Sequence, residues 1–357
     1  MKELEHLVTM SKYAGERFDL VQAGGGNSSV KLFNQKMLIK ASGFHLTELN
    51  KTRGVSWVNY TEIVALMNDP ALVDKSKKDR EQFSSKGMGE SVLSPHVKPS
   101  IETFLHAILA KYTLHTHPIV VNAITCQNNW ARLLREWFPK ALLVPYETPG
   151  IELALIMKNE LHHYQKKHNS IPEVIFLQNH GLIVNSDTLD KVLTLTESVV
   201  DSISEKTGCD LSRYKLTNTI SKLINSISNE SAKVCYFSED QELNSIFKSS
   251  RELFFTHPFC PDKLVYCGIS VAEIKDTKDH KSIEEYQQKY YELPKVIIFK
   301  DHLFFIGDNI RKAKDAEEVF KFHIMALFIS NKDNNFLNIN EIAYLSNWDA
   351  EKYRQDL

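Results

Sequence analysis

His115 and His117 stand two apart in the run 112–117, a Tyr-Thr-Leu-His-Thr-His stretch that reads as a strand ending at Pro118. Side chains at i and i+2 of a strand point to the same face, so both imidazoles can reach one ion. His180 ends another predicted strand and is followed by Gly181, which permits a tight turn and a close backbone approach. Three neutral imidazoles with an open fourth position are the donor set of a catalytic zinc site, the open position receiving substrate oxygens. An HxH pair alone does not specify a metal, since either ring can equally pack in a core. The other histidines lack partners at such spacing. His162 and His163 read as surface residues of a polar helix, and His257, His302 and His323 are assigned non-ligand roles.

Glu102 lies one turn before His106 on a helix expected to open at Pro99 and Ser100, and the i, i+4 relation puts both on one face. That face borders an apolar stripe of Ile101, Phe104, Leu105 and Ile108. A carboxylate poised between core and cleft is expected to have its pKa raised by desolvation, as a general acid/base at neutral pH requires. Read in isolation, Glu102 is equally a solvated glutamate of a helix N-terminus. His106 is expected to pack or hydrogen-bond behind the site.

A third group of residues suits an anion. The turn AGGGNSSVK brings Gly26, Asn27, Ser28 and Ser29 together, and backbone N–H groups in such a turn can converge on a negative charge. It is neither a Walker A loop nor GxGxxG. Lys40-Ala41-Ser42-Gly43 adds a hydroxyl and a flexible N–H, and Ser100 adds a hydroxyl where a helix dipole favours negative charge. Each piece read singly is also a plain turn or cap.

The elements that must carry these groups alternate between strand and helix, which implies an α/β fold. A helix over 2–14 leads into the glycine-rich turn. Strands follow near 28–33 and 36–41, joined by Asn34-Gln35. Residues 70–98 are charged and aperiodic and read as a long surface loop. After the HxH strand come a helix, a strand at ALLVP, a helix over 151–167, the strand EVIFLQ, a turn at Asn179-His180-Gly181 and the strand LIVN, with Asp187 or Ser186 placed to cap the next helix. A polar, Ser/Asn-rich stretch around 207–240 suggests a boundary between a metal- and phosphate-binding domain over 1–225 and an α/β extension over 240–357. PEVIFLQNHGLIVN (172–185) is echoed by PKVIIFKDHLFFIG (294–307) with the same proline-to-histidine spacing. The echo suggests a diverged partial repeat packed on the first domain, or chance similarity between two buried strand pairs. His302 lacks a following glycine and a nearby HxH, so no second metal is expected there.

Composition narrows the class. The chain has 357 residues, 43% hydrophobic and 25% charged, with a net charge of −2. Those values fit a globular protein able to bury a sizeable core and give no electrostatic case for nucleic acid or an anionic membrane. The charged N-terminus lacks the apolar segment of a signal peptide, and no run approaches a membrane span. Five cysteines without a CxxC pair read as free thiols of a reducing compartment, so the cytoplasm is expected.

Together the motifs resemble the class II aldolase/adducin family. In order they are Gly26-Asn27-Ser28-Ser29, Lys40-Ala41-Ser42-Gly43, Ser100-Ile101-Glu102, His115-Thr116-His117-Pro118, Pro145-Tyr146-Glu147-Thr148-Pro149-Gly150 and Asn179-His180-Gly181, spread over residues 1–205. The resemblance implies a central, mostly antiparallel β-sheet flanked by helices on both faces, with an α/β C-terminal extension. It implies Zn2+ or another divalent metal on His115, His117 and His180, with Glu102 as acid/base and as a ligand when substrate is absent. It further implies a sugar phosphate held by Gly26, Asn27, Ser28, Ser42, Gly43 and Ser100, and Tyr146 of a neighbouring subunit as a proton donor in a homotetramer. The implied reaction is aldol cleavage or formation of a phosphorylated ketose through a metal-stabilised enediolate, with 4-epimerase, dehydratase or decarboxylase activity and a non-catalytic adducin-like scaffold as alternatives. The gap between Glu102 and His115, and YLSNWDAEKYRQ near the C-terminus, are closer to the long rhamnulose-phosphate aldolase type; no GxGxxG occurs, so its fused dehydrogenase is not expected here. Ile101 stands where some members have a second hydroxyl, which puts the phosphate contacts in question.

Overall fold

The computed structural model describes residues 2–94, 97–227, 232–330 and 333–347. They form two compact units, Met1–Leu211 and Ser212–Leu357. The helices run α1 (Lys2–Gly15), α2 (Tyr60–Leu66), α3 (Lys77–Glu90), α4 (Thr103–Ala107), α5 (Ile119–Thr125), α6 (Trp130–Trp137), α7 (Ile151–His168) and α8 (Leu189–Thr207) in the first unit. Its strands are β1 (Asn27–Lys31), β2 (Lys36–Lys40), β3 (Val55–Asn59), β4 (Tyr112–Thr116), β5 (Leu142–Val144), β6 (Val174–Leu177) and β7 (Gly181–Ser186). They make one sheet in the order β3-β2-β1-β4-β7-β6-β5. Every pairing is antiparallel except β5 with β6.

Strand alternation sorts the sheet into two faces. Leu114, Phe176, Leu182 and Val184 meet α1, α5, α6 and α8 through Leu7, Met10, Val121, Leu134 and Val199. Ile175, Leu177 and Ile183 face α4 and α7 through Phe104, Leu105, Ala154 and Met157. Helices therefore cover both faces, and burial of these side chains fixes the register, since a slip by one residue would turn each strand inside out. Asn34 and Gln35 both adopt positive φ, 63° and 65°, the backbone of a tight hairpin between β1 and β2.

Three local expectations give way. Residues 70–98 are not a structureless loop, since they hold a short 3-10 turn and α3. Ser76 caps α3 by accepting from the Asp79 N–H at 3.2 Å, and Arg80 forks onto Glu152 of α7 at 2.6 and 3.0 Å. A helix held by its cap and by ion pairs carries no apolar period to read. The helix expected from Pro99 begins only at Thr103, because Pro99 pairs with Ala41 in a β-bridge and keeps the chain extended. Neither Asp187 nor Ser186 caps α8; the capping position is Thr188, whose side chain makes no cap bond.

The second unit contains α9 (Lys215–Ile227), α10 (Gln241–Ser249), α11 (Pro261–Cys267), α12 (His280–Tyr290), α13 (Ile310–Ser330) and α14 (Ile339–Asn347). Its strands β8 (Val234–Phe237), β9 (Ala272–Glu273), β10 (Val296–Phe299) and β11 (His302–Gly307) form a sheet in the order β8-β11-β10-β9. Val296, Ile298, Leu303 and Phe305 pack against Ala316, Phe320 and Ile324 of α13. The division falls at 211/212, inside the polar 207–240 stretch and ahead of residue 225, and α9 packs on β8 within the second unit. The echoed segments are both antiparallel hairpins followed by a long helix, β6-β7-α8 and β10-β11-α13. Of YLSNWDAEKYRQ, residues 348–355 lie outside the described residues. Among the described residues no helix is long and apolar enough to cross a membrane.

Candidate metal centre

His115 lies on β4, paired with Asn27 of β1 on one side and Ile183 of β7 on the other, at the middle of the sheet. His117 follows two residues on, and its N–H donates to Leu20 O at 2.9 Å. The β6–β7 hairpin delivers His180 after Asn179, which adopts a left-handed φ of 53°. The backbones here approach closely. A Cβ on Gly181 would lie 2.3 Å from Thr116 O, and one on Gly25 would lie 2.8 Å from His117 Nδ1.

The result is a tight knot of nitrogens. His115 Nε2 lies 3.1 Å from His117 Nε2 and 3.3 Å from His180 Nε2. Glu102 Oε1 lies 3.1 Å from His180 Nε2 and 3.4 Å from His115 Nε2. His115 Nδ1 donates to Leu182 O at 3.1 Å, which leaves its Nε2 lone pair facing the cluster. Lone pairs this close repel one another unless a proton or a cation lies between them. Burial, more than any other cause, pushes His115 well below the usual imidazole range and lowers His117 as well, so both are neutral donors. Three imidazoles with a carboxylate beside them fit a divalent cation, and among the described residues His115, His117 and His180 are the one group of three potential ligands brought this close together.

Glu102 departs from expectation in its ionisation. Burial does push its carboxyl up, but positive charge held in the cluster that His115 and His180 form, whether proton or cation, outweighs burial together with the Asn27 amide and holds it well below the usual carboxylate range. It is a committed anion, which suits a metal ligand or a base. Asn27 Nδ2 donates to Glu102 Oε2 at 2.6 Å and to Ser100 Oγ at 2.8 Å. His106 sits behind, fully buried, its Nδ1 2.7 Å from Ser29 Oγ.

The remaining anion-site residues divide. Gly26, at φ 70°, is wedged against His115 O, and Ser42 and Gly43 lie exposed after β2, where the Ser42 N–H is already bonded to Lys98 O at 2.8 Å. Ser28 does not join them. Alternation along β1 turns its hydroxyl to the opposite face from Asn27, onto Ser11 Oγ at 2.6 Å. Tyr146 is 55% exposed and, among the described residues, makes no hydrogen bond to the three imidazoles. Sequence reasoning missed Lys40 as a site residue. It is 4% exposed, its Nζ donates to Gly24 O at 3.2 Å, and its charge is felt by both Glu102 and His117. The signal was a lysine ending a strand directly before Ala41-Ser42-Gly43.

The signature described as Class II Aldolase and Adducin N-terminal domain matches residues 5–205. A Bacillus subtilis (strain 168) protein named uncharacterized oxidoreductase YuxG is 27% identical over 214 residues, 57% of this chain and 29% of that one. The chain thus matches less than a third of that relative's length. The N-terminal class II aldolase domain of a conserved protein from Thermoplasma acidophilum is 24% identical, with TM-score 0.48, over 57% of this chain and 93% of that one. An L-fuculose 1-phosphate aldolase is 19% identical, with TM-score 0.40, over 57% of this chain and 84% of that one. With the signature spanning more than half of the chain and the whole imidazole–carboxylate cluster inside it, this protein belongs to the class II aldolase and adducin family.

Proposed function

We propose that this protein is a divalent-metal aldolase, zinc being the first candidate, that makes or breaks a C–C bond beside the carbonyl of a phosphorylated ketose. The observation that supports this most directly is the position of Glu102 Oε1, 3.1 Å from His180 Nε2 and 3.4 Å from His115 Nε2. His115, His117 and His180 would hold the cation, with Glu102 completing the set until substrate arrives. A cation there supplies Lewis-acid polarisation of a carbonyl oxygen, worth several kcal/mol. Glu102, ionised in the resting site, takes or returns the proton at the carbon next to that carbonyl, and Asn27 orients it. Gly26, Asn27, Ser42, Gly43 and Ser100 receive the phosphate, with the Lys40 ammonium beside them. The outward exposure of Tyr146 suits a proton donor for the site of a neighbouring subunit, in a cytoplasmic homotetramer.

The test is retro-aldol product analysis on a panel of ketose phosphates with metal-reconstituted protein. Aldehyde plus a three-carbon ketone phosphate supports an aldolase. A C4 epimer, loss of water or release of CO2 would instead place the protein in another branch of the same chemistry. Glu102→Gln should retain metal and lose at least 100-fold in kcat, within the range assigned to general acid–base groups. Metal far below one equivalent after zinc reconstitution would favour a non-catalytic scaffold.

A further inference from the structure

The two sheets share more than the echoed hairpin. In the first unit β5 runs parallel to β6, β6 antiparallel to β7, and β7 antiparallel to β4. In the second, β9 runs parallel to β10, β10 antiparallel to β11, and β11 antiparallel to β8. Chain order matches too. The run α4-β4-α5-α6-β5-α7-β6-β7-α8 has the same sequence of elements as α9-β8-α10-α11-β9-α12-β10-β11-α13, apart from a short 3-10 turn after α10. Packing follows suit, with α4 on α7 as α9 is on α12, and α8 on β4 and β7 as α13 is on β8 and β11. Nine elements in one order, with one orientation pattern, are not explained by chance likeness of two hairpins.

The strand registers then assign equivalent residues. His115 opposes Ile183 on β7, and Phe237 opposes Phe304 on β11. Ile175, three residues after Pro172, pairs with Ile183, and Ile297, three residues after Pro294, pairs with Phe304, so Ile183 and Phe304 occupy the same place. Phe237 therefore stands at the position of His115, and Glu239 at that of His117. The hairpins differ in one respect. Gln178, Asn179 and His180 separate the paired residues Leu177 and Gly181, whereas only Lys300 and Asp301 separate Phe299 and His302. The lost residue draws His302 into the ladder. Its ring still meets Phe237 edge-on at 5.2 Å and 67°, much as His180 meets His115 at 4.8 Å and 81°. Tyr214, just ahead of α9 as Glu102 is just ahead of α4, donates to Glu239 Oε2 at 2.6 Å and lies 5.9 Å from the Phe237 ring.

We infer that the second unit is a degenerate duplicate of the metal-bearing half of the first, and that Phe237 fills the vacated cation position, with His302 against its ring and with Glu239, now held by Tyr214 and by Arg213 Nη2 at 3.2 Å, two residues on. Glutamate and two imidazoles are a competent zinc donor set. One substitution, Phe237→His, should therefore restore a cation site that this chain has lost.

The experiment uses the full chain carrying His115→Ala and His117→Ala, titrated with Co(II) and read by d–d absorption and equilibrium dialysis. This parent should bind no Co(II) tightly, and adding Phe237→His should give one equivalent. Should that variant fail to fold, Phe237→Cys, which needs less room, carries the same test with Cd(II). A folded variant that takes up no more cation than the parent overturns the inference. The outcome is independent of the proposed activity: a wild-type chain without aldolase activity would leave the Co(II) result standing.

Discussion

Asn27 Nδ2 reaches Glu102 Oε2 at 2.6 Å, joining the first residue of β1 to the residue that precedes α4. Asn27 is also the strand partner of His115, so one side chain sits between a candidate ligand and its neighbouring carboxylate. Without this amide, Glu102 keeps its charge but loses the bond that orients it. Asn27→Leu, which preserves bulk, should weaken Zn2+ binding by about 10- to 100-fold, the usual cost of removing an outer-shell partner. Competition against a chromophoric chelator measures it, and an unchanged Kd would mean that Glu102 is oriented without Asn27.

The close pairing of β7 with β4 beside the metal centre leaves no room for a side chain at position 181. A Cβ there would meet Thr116 O at 2.3 Å, a backbone atom that cannot swing aside, and His117 Cδ2 at 3.0 Å. Gly181→Ala must push the hairpin and its histidine away from β4. Overpacking of this kind costs about 1–3 kcal/mol. Thermal unfolding of the metal-free protein should show that loss, and zinc affinity should fall with it. Stability lost with full metal affinity retained would show that His180 is not needed to bind the cation.

The legibility of this protein followed the physics of each signal. His115 and His117 were readable because strand alternation acts over two residues, and the two faces of the sheet were readable from Leu-Ile-Val runs that must be buried. Ser28 falls outside the anion site because a motif lists residues in order, whereas a strand sends alternate ones to opposite faces. The ionisation of Glu102 was misjudged because burial is legible from a helix pattern, but His115, His180 and Asn27, which reverse its effect, come from three distant segments. The helix α3 was invisible because its support is a cap and the Arg80–Glu152 pair, neither of which produces a period. The longer correspondence between β4–α8 and β8–α13 could not be read, since a one-residue change in hairpin length shifts β11 relative to the sequence echo.

Arg17 anchors the approach to the glycine turn. It is fully buried, forks onto Asp19 at 2.9 and 2.5 Å and also pairs with Glu197 of α8. Asp19 O in turn accepts from Ile119 N at 3.0 Å, and Leu20 O from His117 N at 2.9 Å. Truncating one member of such a buried pair leaves charge uncompensated and costs about 3–5 kcal/mol. Arg17→Ala should therefore lower the denaturation midpoint sharply. Because the same segment holds the His117 backbone, the variant should also bind zinc more weakly at temperatures where it remains folded. Loss of stability below about 1 kcal/mol, typical of exposed pairs, would show that the network is dispensable.

Lys263 offers a pH test confined to the second unit. Its side chain is fully buried, donates to Gly268 O at 2.8 Å and Ile269 O at 2.9 Å, and is pushed down to about 8, chiefly by burial. Below pH 8 the ammonium is charged in folded and unfolded chains alike, so the folded state bears the full cost of burying it. Between about pH 8 and the ordinary lysine value near 10.5, the unfolded chain binds the extra proton, and stability must rise with pH. The gain is bounded at roughly 3.5 kcal/mol, taking about 1.4 kcal/mol for each tenfold change in proton affinity. Lys263→Met removes the titrating group, so the difference between wild type and variant isolates this residue from the tyrosines and cysteines that also ionise in alkali. Urea unfolding at pH 7.5 and pH 10 should show wild type gaining on the variant. A constant difference across that range would mean that the ammonium keeps its ordinary affinity for the proton despite its burial.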